Sequence, residues 1–240
     1  MSRVNRSRER RISGGVQQLP WAQPQLVRPP IDIISADEVE QIHRASLLLL
    51  STTGMRVLLG PARQLLVDAG CVTVDDIVRF DPEMVEATIA AAPSSFTLHA
   101  RNPQRSLTIG GNHVTFAAIG GPAFVHDLDR GRRAGTMAEQ ADYLRVIQML
   151  NIVHQEGGGP FEALDLPADT RHLDFADAAI RLLDKNWQGI ALGRERAADC
   201  IDMAAIALGT DRDGLLQRPT VLAIVNTNTP LTLEIGRAHV

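Results

Sequence analysis

The sequence predicts an α/β fold in which a helical and antiparallel region comes first and a parallel-strand region follows it. Two observations carry this expectation. Between Phe96 and Leu128, short β-rich runs are separated by turn signals at Asn102-Pro103 and Gly110-Gly111-Asn112. From Ile152 onward, strand-like and helix-like segments alternate in a βαβαβ rhythm, which requires parallel strands because each crossover carries a helix. The composition allows the core this needs: of 240 residues, 45% are hydrophobic and 22% charged, the balance of a globular chain.

Residues 1–34 are expected to form an extended basic and proline-rich arm. Arg3, Arg6, Arg8, Arg10 and Arg11 precede Pro20, Pro24, Pro29 and Pro30 with little hydrophobic periodicity, and a solvated tail is the plain reading of such a run. Residues 35–135 make the helical plus antiparallel β region. Ser35 and Glu38 have capping-box spacing, and Val39, Ile42, Ala45 and Leu49 then repeat at helical intervals up to a C-cap candidate, Gly54. A second helix runs from Pro61 to Gly70, and a third opens at Asp81-Pro82 and is stopped by Pro93. Asp76 to Phe80 reads as a short strand between them. Phe96–Leu98, Leu107–Ile109 and Val114–Phe116 are expected to form a small antiparallel unit, continued by Phe124–Leu128 across Asp129-Arg130-Gly131.

Residues 136–233 carry the strand–helix alternation. Thr136 and Glu139 form a second capping box, opening a helix through Leu150. Strands are expected at Ile152–Glu156, Gly189–Leu192 and Val221–Asn226, with helices from about Asp169 to Asp184 and from about Glu195 to Leu208. Leu173, Ala176, Ile180 and Leu183 form one buried stripe of the first helix, widened by Phe175, Ala179 and Leu182. Crossover handedness then restricts the topology to a few α/β folds, and periodicity alone leaves a barrel and a doubly wound sheet both open. The loop chemistry leans towards a barrel. No G-x-G-x-x-G follows a strand, and Gly157-Gly158-Gly159-Pro160 has neither that spacing nor a P-loop Lys, so it reads as a glycine turn. Gln155 and Glu156 end one strand, and Asn226, Thr227 and Asn228 end another; polar strand ends on one face are what a barrel mouth needs.

Several functions are disfavoured. A formal charge of -4, with the basic run confined to the first eleven positions, argues against nucleic-acid binding. No apolar run approaches the roughly 20 residues of a membrane span, and no apolar stretch follows the arginines as in an export leader. Glu9 and Gly14-Gly15 weigh against an organellar leader, so a cytoplasmic location is expected. Cys71 and Cys200 are not in C-x-x-C spacing and read as reduced packing residues. His154-Gln155-Glu156 has the H-x-E of zinc deaminases without their C-x-x-C, and His172 and Asp174 read as capping or packing groups, so no protein-bound metal is expected.

Five segments together resemble the trimethylamine:corrinoid methyltransferase family, from about Val39 to Leu233. They are Ala92-Pro93-Ser94-Ser95-Phe96-Thr97-Leu98; Asp127-Leu128-Asp129 with Gly131 and Arg133; Thr170-Arg171-His172-Leu173-Asp174; Ala191-Leu192-Gly193-Arg194-Glu195-Arg196; and Ile224-Val225-Asn226-Thr227-Asn228-Thr229-Pro230-Leu231. The resemblance implies a partial TIM (β/α) barrel preceded by an amino-terminal helical and β-hairpin region, in a chain about half the family's length. Counting agrees: a barrel alone takes about 250 residues, and about three parallel strands fit after Ile152. Residues 234–240, Glu234-Ile235-Gly236-Arg237-Ala238-His239-Val240, read as a non-native tail resembling a translated sequencing-library adapter.

The resemblance also implies an activity, the transfer of a methyl group from a methylated amine, trimethylamine or a quaternary amine such as glycine betaine, to the cobalt of a separate corrinoid protein. The polypeptide then binds no cofactor directly, because the corrinoid (cobalamin) is carried by the partner. It supplies no nucleophile either, so catalysis rests on positioning and electrostatics, and no catalytic residue is assigned. In trimethylamine-using members a pyrrolysine assists; its region lies beyond this chain, which leaves the amine open. Gln155, Glu156, Asn226 and Asn228 are the expected substrate contacts, with Glu156 the cation partner. Each has a plainer reading: Glu156 as a paired strand-end acid, and Asn226 and Asn228 as caps of the turn before Pro230. Trp187 could offer a cation–π face but fits a core position better. The rival to an enzyme is a non-catalytic quaternary-amine binding or interaction module.

Overall fold

The computed structural model describes residues 16–121, 123–190, 192–228 and 230–233. The arginine run and the 234–240 tail therefore lie outside the described residues. The first helix, α1 (Ala36–Thr52), starts with the expected capping box: Glu38 N donates to Ser35 Oγ (3.3 Å) while Ser35 N donates to Glu38 Oε2 (2.8 Å). It stops at Gly54, whose φ of 76° suits glycine and whose added Cβ would collide with the Val78 carbonyl. The expected stripe on α1 is not its buried face: Val39, Ile42 and Leu49 are exposed and Leu47 is the buried residue.

Next come β1 (Met55–Val57), α2 (Gly60–Asp68), β2 (Val72–Val74), β3 (Ile77–Arg79) and α3 (Pro82–Ala91). Asp81 Oδ1 caps α3 by accepting from Glu83 N and Met84 N. β3 pairs antiparallel with both β1 and β2 around a small core of Val57, Cys71 and Val78. β4 (Ser95–Leu98) and β5 (Leu107–Gly110) form the predicted hairpin, and β6 (Val125–Asp127) with β7 (Gly131–Arg133) makes a separate one.

Val114–Phe116 does not join this antiparallel unit. His113 bridges Gln25 of the amino-terminal arm, Phe116 O accepts from His154 N (2.9 Å), and Ala117 pairs in parallel with Gln155. The run therefore opens the parallel region, one segment earlier than the sequence suggested. The arm is held against it through Val114 N to Pro24 O (2.9 Å) and Gln23 Nε2 to Thr115 Oγ1 (3.0 Å).

Among the described residues three parallel bridges link successive segments of that region, Ala117 with Gln155, Gln155 with Asn186, and Gln188 with Leu222, and a fourth pairs Gly135 with Ala163 beside them. Between successive segments lie α4 (Met137–Met149), α5 (Arg171–Leu182), and finally α6 (Arg194–Leu208) with α7 (Arg212–Gln217). Neighbours in the array thus follow chain order. The expected strands at Ile152–Glu156 and Val221–Asn226 shrink to single pairings at Gln155 and Leu222, while the segment expected to pair from Gly189 does so just before it, at Asn186 and Gln188. Past Leu222 the chain leaves the array, with Ile224 and Val225 exposed; β-branched residues favour a strand only where a partner takes up their backbone groups. β8 (Thr227–Asn228) turns back on β9 (Thr232–Leu233), and β9 joins the amino-terminal sheet parallel to β1, giving the order β2-β3-β1-β9-β8.

The helices cover one face of the array. Leu144 and Ile147 of α4, Phe175, Ala176 and Ala179 of α5, Leu183, Trp187, and Cys200 and Ala204 of α6 form the main core. Phe175 and Ala179, expected at the margin of the α5 stripe, are at its centre, while Ile180 is only partly buried. Thr136 and Glu139 form the capping box predicted for α4.

Candidate functional site

Bridged residues of a parallel ladder present their side chains to the same face, and successive residues alternate. Gln155 and Asn186 therefore share a face, with Gln188 two positions further along it, and Trp187 points the other way into the helix-side core. The face away from the helices carries a row of amides. Gln155 and Asn186 are buried, and Asn186 Nδ2 donates to His99 O (2.6 Å) while its Oδ1 is buried without a partner. An unmet carbonyl oxygen in such a place has a cost that a bound cation or donor removes. Neither Asn186 nor Gln188 was singled out from the sequence; the alternation in Lys185-Asn186-Trp187-Gln188, polar on one side of an aromatic, is the signal that marks them.

Glu156, next to Gln155, falls on the opposite face and is fully buried. Its Oε2 accepts from Gly158 N (2.8 Å) and Gln188 N (3.3 Å), and its Oε1 accepts from Gly159 N (2.7 Å). Burial pushes its carboxyl above the ordinary value even against these amide bonds, and its charge, after burial, helps raise the Tyr143 phenol. The glycine run is a turn built for this contact. Gly158 and Gly159 have φ of 95° and 90°, and a Cβ on Gly157 would strike the Ala118 carbonyl. Glu156 thus ties the loop after one parallel segment to the start of the next.

Two further buried groups brace the array. Lys185 Nζ donates to the carbonyls of Ile147, Leu150 and Val153, each at 2.7 Å, satisfying the end of α4, and burial draws its pKa down to about 8. His154 Nδ1 accepts from Phe116 N (3.0 Å), which assigns the proton to Nε2, facing Ala22 O (3.1 Å). Burial lowers its pKa, in line with the neutral ring that acceptance at Nδ1 requires, and His154 is a structural group. Trp187 lies in the core as expected, and His172 is buried with Nε2 2.9 Å from Asp199 Oδ2. Asn226 is exposed after the array, and Asn228 sits in β8 opposite Thr232, within the amino-terminal sheet. The structure therefore gathers Gln155 with Asn186 and Gln188, puts Glu156 behind them, and assigns Asn228 to a different sheet. Among the described residues, no three His, Cys, Asp or Glu side chains are grouped to hold a metal ion, and no helix is long and apolar enough to cross a membrane.

Comparison with known proteins gives two matches. The family model for trimethylamine methyltransferase (MTTB) matches residues 2–238. A glycine betaine methyltransferase of Desulfitobacterium hafniense (strain Y51) is 32% identical over 206 residues, covering 86% of this chain and 43% of that protein. The chain thus spans less than half the length of this relative.

Proposed function

The chain belongs to the trimethylamine methyltransferase family, and from that premise we propose that it is part of an enzyme moving a methyl group from a methylated amine to the cobalt of a corrinoid protein. The observation that carries the reading is the family match over residues 2–238. The named activity of the relative favours a quaternary amine such as glycine betaine as donor. The sequential order of the parallel segments, with all core helices on one face, supports a partial TIM barrel: a doubly wound sheet reverses its strand order, and this array does not. A cytoplasmic site of action accompanies this reading.

In this proposal the corrinoid, carried by the partner protein, supplies a nucleophilic cobalt(I). The chain's own task is to hold the amine with one methyl carbon facing outward. Gln155, with Asn186 and Gln188 beside it, offers amide oxygens to the cationic head. A quaternary nitrogen has no N–H, so carbonyl dipoles hold it electrostatically, and Asn186 Oδ1 is already unpartnered for that role. Glu156 acts on the cation from behind the loop through its field, since loop amides occupy both its oxygens. Asn226, exposed past the array, is the further contact proposed from the chain beyond it, whereas Asn228 belongs to the amino-terminal sheet. Catalysis by such positioning needs no nucleophile from the polypeptide.

The test is to supply cob(I)alamin with glycine betaine or trimethylamine to the whole protein and follow methylcobalamin by absorbance. Methylcobalamin formation with one of the two amines is expected; none with either overturns the proposal. A non-catalytic quaternary-amine binding module is the second reading, favoured by the unpartnered Asn186 Oδ1, which suits a bound cation whether or not a methyl group leaves it. Saturable amine binding without methylcobalamin would select it.

A further inference from the structure

On the helix side of the array, beneath the loop that follows Gly159, lies a cavity of about 160 Å³, far above the roughly 10–15 Å³ that one water needs. Gln140 of α4, Phe161 and Glu162 of the loop, Arg171 and His172 of α5 and Arg196 of α6 contribute to its wall. We propose that it is a binding site for a small carboxylate carrying an adjacent O–H or N–H donor, the chemistry of a small hydroxy or amino acid.

Two buried polar atoms of the lining residues have no partner, and the chemistry of each is fixed by what its other end does. Gln140 Nε2 donates to the Phe161 carbonyl, which can only accept, so the free atom is the acceptor Oε1. His172 Nε2 lies 2.9 Å from Asp199 Oδ2, which places a proton on Nε2; in the neutral imidazole this leaves Nδ1 as a lone pair, buried and unmatched. Both atoms call for a donor. The same wall offers positive charge: Arg171 and Arg196 against Glu162, with Arg171 Nη1 2.9 Å from Glu162 Oε2 and Arg196 Nη2 3.1 Å from Ala168 O. Each guanidinium retains further N–H groups. α5 and α6 also begin here without a side-chain cap at Thr170 or Gly193, so their first-turn amides add to the positive potential. Water can meet these groups one at a time, but two guanidiniums against the single Glu162 carboxylate leave a positive excess that favours an anion. One ligand meets both when a carboxylate faces the arginines and its neighbouring hydroxyl or ammonium faces Gln140 and His172.

This site is separate from the amide row and does not depend on methyl transfer. Glycolate and acetate are the probes, since they differ only in the donor and neither carries a methylated nitrogen. Calorimetric titration of the folded chain should show saturable glycolate binding, with acetate about tenfold weaker for the lost hydrogen bonds. Gln140→Leu and Arg196→Gln should each weaken glycolate by a similar factor. The ¹⁵N shift of His172 Nδ1 should move on glycolate addition as its lone pair becomes hydrogen-bonded. The proposal is overturned by no saturable glycolate binding (a cavity that holds water only), by acetate binding as tightly as glycolate, or by glycolate binding unchanged in both variants.

Discussion

In the amino-terminal region the buried core is Val57, Cys71 and Val78, apolar and small, and its helices α1 and α3 are held by caps within a few residues of the groups they satisfy. The parallel region buries a larger apolar core and, beside it, His154, Gln155, Glu156, His172, Lys185 and Asn186. Buried polar groups are costly unless paired, and here most are paired across long stretches of chain, Lys185 to Ile147, Glu156 to Gln188. Single buried polar atoms are left open elsewhere too, Thr73 Oγ1 in the amino-terminal sheet and Trp21 Nε1 and His113 Nδ1 beside the arm, but in the parallel region Asn186 joins a row of amides and Gln140 and His172 line one cavity. Ligand chemistry is expected there, while the amino-terminal sheet serves as support.

Substitutions can break or sharpen this contrast. The largest effect is expected for Lys185→Met, which strands three buried carbonyls; a loss of roughly 3 kcal/mol or more in urea unfolding should follow. The same lysine should give a pH signature. Its folded pKa of about 8 lies below the ordinary 10.5, so between these values the unfolded chain binds more protons and the lysine's contribution to stability rises with pH. That slope should vanish in the variant.

Glu156→Ala removes the acceptor of three loop and strand amides and should cost about 2–3 kcal/mol, read by the same unfolding curve. Here the pH sign reverses. The folded carboxyl is raised above 4.5, so its contribution is complete below that value and is lost as pH climbs through the folded pKa. Glu156→Gln should flatten this fall. Gly157→Ala forces a Cβ against the Ala118 carbonyl and should cost about 1–3 kcal/mol, seen as a lower melting temperature. The smallest effect is expected in the other region: Ser35→Ala loses one exposed cap, about 1 kcal/mol, and should leave ligand binding untouched.

Legibility in the sequence divides along the same line. Ser35 with Glu38, Thr136 with Glu139, Asp81-Pro82 and the β4–β5 hairpin could all be read because each rule acts over a short span of chain. β1 and β2, three residues each, are too short for alternation to show. The pairing of Ala117 with Gln155 and the departure of the chain after Leu222 depend on distant partners, which no local pattern encodes. At the site, Gln155 and Glu156 were visible as polar strand ends, but their division between two faces follows from register alone. Asn186 and Lys185 resemble surface residues in composition; only the carbonyls they meet explain their burial.

The most direct measurement is a calorimetric titration of glycine betaine into the wild-type chain, Gln155→Leu and Ser35→Ala. The account expects saturable binding that Gln155→Leu weakens by about tenfold and Ser35→Ala leaves as it was. Equal affinities in all three proteins, or no binding by the folded wild type, would contradict a site built on the amide row of the parallel region.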